Sequence, residues 1–193
     1  MGKGIYEEDI MNYKFAKLKK MKSYELSYMA GLIDGEGMIA FKHAKKSLKG
    51  KIKFLPIITI MYSTDLEHTK KVSNITGAPY YYQTSKDSQT KLVTNRMKQT
   101  YRVGFIGYKN CLELLNKVTK YLILKKQHAI LMKKIIKMHK YSKDIRKKEA
   151  KLILKVYRLN SSIGRKETIG IKRLNQIING ELKNLEYLPD KCV

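Results

Sequence analysis

Cysteine is scarce in this chain: 193 residues hold two, Cys111 and Cys192. Two cysteines so far apart make neither a disulfide framework nor a metal-ligand spacing, which points to a reducing interior. Acid is scarce as well. Sixteen Asp and Glu stand against 41 Lys and Arg, and the resulting charge of +25 is spread from end to end rather than gathered in a tail. No run of about 18 apolar residues exists, so no membrane span is expected. The stretch from Tyr24 to Phe41 comes nearest, and Glu25, Asp34 and Glu36 interrupt it. The front of the chain, with Glu7, Glu8 and Asp9, lacks the basic-then-apolar order of a signal peptide and the acid-poor character of a transit peptide. A soluble intracellular protein, in a prokaryotic cytoplasm or an organelle interior, is the expectation. The four histidines, at 43, 68, 128 and 139, form no metal-binding pattern, and no internal repeat is visible.

What is present is enough apolar material, 43% of residues, to build a core without staples. A folded body this basic most often faces a polyanion. Residues 1–22 read as a Lys-rich lead-in. Ser23 is a candidate N-cap, and the helical pattern that follows runs until Gly35 and Gly37 stop it. Residues 38–46 and 51–63 alternate as two strands joined near Gly50. A helix over 65–75 closes at Gly77, and a second hairpin pairs 80–84 with 94–106 around the polar run 85–90. Helical spacing returns at 110–121 and 125–141. Strand pairs separated by helices, without parallel βαβ alternation, make an α+β fold. Beyond Ser142 two short basic amphipathic helices, over 145–159 and 167–178, form a C-terminal extension. The expected division is a lead-in (1–22), a core domain (23–141) and the extension (142–193).

The strand faces say more than the strand count. In the last strand Arg96, Lys98, Thr100 and Arg102 share one face, and Met97, Tyr101, Val103 and Phe105 the other. With Ile39 and Phe41 inward, the first strand turns Lys42, Ala44 and Lys46 outward. With Ile58 and Ile60 inward, the second turns out Lys51, Lys53, Thr59 and Met61, and the third is expected to present Tyr80, Tyr82 and Thr84. An antiparallel sheet with one face on its core and the other lined by Lys, Arg, Thr and Tyr can lie in a DNA major groove, where all four base pairs are distinguishable. Arg96 and Arg102 are the candidates for guanine contacts.

The helix before the first strand carries a second signal. Ser27, Gly31 and Gly35 recur every four residues and stack into a stripe small enough for another backbone to approach. With one copy of the pattern per chain, the simplest partner is the same helix of a second subunit. Met29, Ile33 and Leu26 then face their own core. Unpaired carbonyls and a negative dipole end collect where this helix stops, so Glu36 is unwelcome there without a cation. Two such carboxylates meeting near a twofold axis favour a divalent metal, and oxygen-only ligands suit Mg²⁺. Asp34 can instead cap a turn by satisfying local amides.

The run Met29-Ala30-Gly31-Leu32-Ile33-Asp34-Gly35-Glu36-Gly37 resembles the signature of the LAGLIDADG homing endonucleases, in the form with one motif per polypeptide. Met stands for the first Leu, and Gly-Glu for Ala-Asp. The element order through about Tyr141 resembles that family's αββαββα core with its saddle-shaped antiparallel sheet. The resemblance implies an intron-encoded, homodimeric, site-specific DNA endonuclease that cuts both strands of a long, near-palindromic double-stranded target across the minor groove, leaving short 3′ overhangs. Carried over by position, the metal-binding acid falls on Glu36 and its helping carbonyl on Gly35. The active-site lysine falls on Lys125, with Lys126 one residue away, and the solvent-ordering polar residue on Thr64 or Asp65. The metal implied is Mg²⁺, or another divalent ion such as Mn²⁺. Two alternatives keep the fold: a maturase that binds its host intron RNA, and a DNA-binding regulator that does not cut.

Overall fold

A computed structural model describes residues 17–45, 52–84, 99–139, 147–160 and 169–181. The helices among them are α1 (Ser23–Gly35), α2 (Leu66–Thr76), α3 (Tyr108–Val118), α4 (Lys126–His139), α5 (Lys147–Leu159) and α6 (Ile169–Asn179). The strands are β1 (Met38–Lys45), β2 (Ile52–Ser63), β3 (Tyr80–Thr84) and β4 (Gln99–Ile106). They form one antiparallel sheet in the order β1-β2-β4-β3. The α+β class and the αββαββα order are as expected from sequence. Both expected hairpin turns lie outside the described residues.

Local chemistry explains the helix ends. Lys22, one residue before the expected Ser23, is the N-cap of α1; its amide donates to Glu25 Oε2 at 2.6 Å, which also places an acid on the positive end of the dipole. Asp65 caps α2 by accepting from the His68 amide at 3.0 Å. This bond is the main reason its carboxyl lies below the usual range. Gly77 ends that helix with φ +72°, a left-handed cap that glycine adopts without strain.

One core fills the space between the helices and one sheet face. Met29, Ala30 and Ile33 of α1 join Ile39, Phe41, Phe54, Ile58, Val103 and Phe105 of the sheet. Ala150, Ile153, Val156 and Leu174 of the C-terminal helices belong to the same cluster. The extension is thereby packed into the body, and α5 also protects the edge of β1. Tyr157 Oη donates to the Phe41 carbonyl at 2.7 Å and Asn160 Nδ2 to the Ile39 carbonyl at 2.8 Å, which blunts a strand edge open to unwanted pairing. Burial pushes the Tyr157 phenol up to about 12, so it remains a donor at neutral pH.

Two strand phases differ from the sequence expectation. A register shift between Thr59 and Met61 puts Met61 opposite Val103; with Ile60 and Met61 both in the core, the bulge inserts the extra residue that reverses the alternation. In β3, Tyr81 pairs with Arg102, whereas Tyr80 pairs with Val103 and Tyr82 with Tyr101. Cross-strand partners share a face, so Tyr81 lies with Arg102, and Tyr80 and Tyr82 fall on the side of Val103.

The loop from α1 into β1 passes hard against β2. A methyl group on Gly37 would sit 2.5 Å from the Thr59 carbonyl oxygen and 2.7 Å from that of Ile60, beside the bulge. A Gly37→Ala change should therefore lower unfolding free energy by about 1–3 kcal/mol. Urea denaturation of parent and variant checks it.

Candidate metal and nucleic-acid site

Glu36 follows the last residue of α1. Its amide donates to the Leu32 carbonyl at 2.9 Å, completing the helix end, while its exposed side chain has no partner among the described residues. The Gly35 carbonyl likewise receives no hydrogen bond from the described residues. A free carboxylate and a free carbonyl at the negative end of a helix present two hard oxygen donors of the type Mg²⁺ prefers. Among the described residues no cluster of three His, Cys, Asp or Glu could hold a metal.

Asp34, half-buried, bridges to the residues that lead into α4. Its carboxylate accepts from the amides of Ile123 (2.6 Å), Leu124 (3.2 Å) and Lys125 (2.8 Å), groups 89 to 91 positions away in sequence. Asp34 thus satisfies amides that are near in space and distant along the chain, at the positive start of a helix where an anion is stabilised. Lys125 Nζ in turn donates to the Asp34 carbonyl at 2.6 Å. The reciprocal pair ties Lys125 to Asp34, which precedes Glu36 by two positions in sequence, while Lys126 is exposed.

An open pocket of about 350 Å³ is lined by Glu36, Tyr62, Ser63, Thr64, His68 and Thr100. Thr64 is available there, whereas the carboxylate of Asp65 is committed to its helix cap. Tyr28, from the solvent face of α1, places its hydroxyl 2.6 Å from His68 Nε2. Tyr28, Tyr62, Ser63 and His68 were not among the residues singled out from sequence. Tyr28 could have been found, because it is four positions past Tyr24 and three before Gly31 on one helical face.

Ser27, Gly31 and Gly35 are all exposed, and a methyl group on either glycine would meet nothing within 4 Å. Nearby, Ile123 and Leu124 are 83% and 73% exposed, although Asp34 holds their amides. This is an apolar and small-residue surface that is exposed among the described residues.

The outer sheet face is less uniformly basic than expected. Lys42 pairs with Leu55, Ala44 with Lys53 and Thr59 with Gly104, all on the side away from the main core. Thr59, however, is 1% exposed and its hydroxyl is buried with no partner among the described residues, so it presents no donor to a groove. A small apolar cluster of Ile57, Tyr81 and Ile106 occupies the same face. Beside it, Tyr62, Arg102 and Tyr81 form a row across three strands, with the guanidinium 5.8 Å from the Tyr81 ring centroid. Thr100 belongs to this face and reaches the pocket. Lys46, Lys51, Arg96 and Lys98 lie outside the described residues, and Lys53 and Tyr82 are placed by their strand pairing.

No protein-family model matches the sequence, and no curated protein matches it. Solved structures do. The homing endonuclease I-CvuI, in complex with its target in the presence of Ca, gives a TM-score of 0.62 at 20% identity over 82% of this chain and 94% of that one. The archaeal intron-encoded homing endonuclease I-Vdi141I, complexed with DNA, gives 0.57 at 16% identity over 81% and 96%. The LAGLIDADG homing endonuclease I-SmaMI, bound to cleaved DNA, gives 0.53 at 16% identity over 92% of this chain and 54% of its own.

Replacing Asp34 by Ala should cost about 1.5–3 kcal/mol, the range for hydrogen bonds to a charged group. Asp34→Asn should cost less, since its carbonyl oxygen still accepts. Chemical denaturation of the two variants against the parent is the measurement.

Proposed function

We propose that this chain, which has the fold of the LAGLIDADG homing endonucleases, is a site-specific DNA endonuclease. It acts as a homodimer and makes a metal-dependent double-strand cut in a long, near-palindromic target, leaving short 3′ overhangs. The observation that carries the reading is the free Glu36 carboxylate at the end of an uncovered small-residue helix face, joined through Asp34 to Lys125. A protein that only bound DNA, or helped an intron RNA to fold, would have no use for that carboxylate.

The donor set fits a divalent cation of the Mg²⁺ type, held by Glu36 and the Gly35 carbonyl of each copy. When bound, such an ion supplies Lewis acidity and an activated water for hydrolysis of a phosphodiester. Remaining ligand positions are left to phosphate oxygens and water, as is usual for Mg²⁺. Lys125 holds a positive charge beside the scissile phosphate and offsets charge building on the phosphorane. Thr64 orders solvent in the pocket. On the sheet, Lys42, Thr100 and Arg102 face the groove; Lys46, Lys51, Arg96 and Lys98, assigned the same role from sequence, lie outside the described residues. Arg102, with its guanidinium over the Tyr81 ring, is suited to a guanine edge.

Pairing along Ser27, Gly31 and Gly35 brings the two Glu36 residues together, one for each strand. The exposed Ile123 and Leu124 are then available for burial in the same contact. A methyl group on Gly31 meets none of the described residues within 4 Å, so a Gly31→Leu change should leave the fold intact while blocking the approach of a second helix. Sedimentation velocity is expected to show a dimer for the parent and a monomer for the variant. Against a DNA library, the parent should cut in Mg²⁺ and stay inactive in chelator, and Glu36→Gln should bind without cutting. Equal cutting by Glu36→Gln would refute the assignment.

A further inference from the structure

We propose that His68 is a catalytic hydrogen-bond donor to the phosphate in the Glu36 pocket and that Tyr28 is the positioning residue that orients it, an inference that rests on the nuclease reading above. Glu36 and His68 line the same pocket, yet they arrive from different elements. Helix α1 supplies the acid at its end and, two turns earlier, the Tyr28 hydroxyl that lies 2.6 Å from His68 Nε2. Helix α2 supplies the imidazole from its first turn, where the His68 amide is tied to Asp65 Oδ1. The ring is therefore held at its backbone and at one nitrogen.

That arrangement selects a tautomer. A phenol is a better donor than acceptor, so Tyr28 Oη donates to Nε2 and the ring proton resides on Nδ1. Nδ1–H is then the nitrogen left for a ligand in the pocket, and no partner for it exists among the described residues. The other lining groups, Tyr62, Ser63, Thr64 and Thr100, are hydroxyl-bearing. His68 is a lining donor whose direction is set in advance, and pre-set donors stabilise developing charge without reorganising. Its partner is a non-bridging phosphate oxygen of the strand being cut. The helix face that carries Tyr28, which is 45% exposed, is also the face proposed to meet a second copy. Dimerisation would therefore enclose the Tyr28–His68 bond and shield it from water.

The test compares parent, His68→Ala, His68→Asn and Tyr28→Phe on a cleavable duplex, with single-turnover rates in Mg²⁺ and DNA affinity in chelator. His68→Ala should slow cutting by about 10²-fold, the scale for losing one pre-set donor, with affinity within about threefold of the parent. His68→Asn, whose amide can replace the Nδ1 donor, should recover about tenfold, and Tyr28→Phe should fall between Ala and parent. Nitrogen-15 imidazole spectra of the metal-free protein should show the proton on Nδ1, and its resonance should shift when duplex is added. A rate for His68→Ala within about twofold of the parent, no recovery by Asn, or a proton on Nε2 would overturn the inference. A parent that cuts no DNA would instead sink the nuclease reading itself.

Discussion

Three amides at the start of α4 converge on the carboxylate of Asp34, and the site is organised around that contact. A helix C-terminus and a helix N-terminus meet there, bringing opposite dipole ends together. The Lys125 ammonium answers by bonding the Asp34 carbonyl, so one residue accepts from the other through both backbone and side chain. The negative end of α1 is thereby partly neutralised next to Glu36, which can keep its carboxylate free for an external cation.

Around this joint the fold divides its surfaces. The buried side of α1 belongs to the main core through Met29, Ala30 and Ile33. Its exposed side offers glycines with open space above them. Gly37 allows the chain to turn directly against β2, at the bulge that sends Met61 inward and leaves Tyr62 beside Arg102. The same few residues thus set the distance from helix end to sheet and the phase of the sheet beside the pocket. The C-terminal helices contribute from the far edge, where α5 closes β1 through Tyr157 and Asn160.

Much of this was legible in the sequence because it depends on local periodicity. The helix at 23–35, the capped α2 and the burial of Met29 and Ile33 follow from spacing and cap chemistry. Other features depended on information that spacing does not carry. Tyr80, Tyr81 and Tyr82 are consecutive and equally apolar, so alternation could not choose their faces and the pairing with β4 decided it. The bulge after Thr59 left no mark in a run of Ile and Met. Asp34 reaches amides some ninety positions away, and His68 and Glu36 line one pocket from different elements. Non-local contacts of this kind become visible once the chain is folded.

The central claim is that Glu36 exists to hold a divalent ion against DNA. Calorimetric titration of Ca²⁺ into the DNA-bound protein tests it without requiring turnover. The account predicts a saturable heat for the parent that is absent in the DNA complex of Glu36→Gln at the same protein and duplex concentrations. The same heat and stoichiometry in both complexes would contradict it.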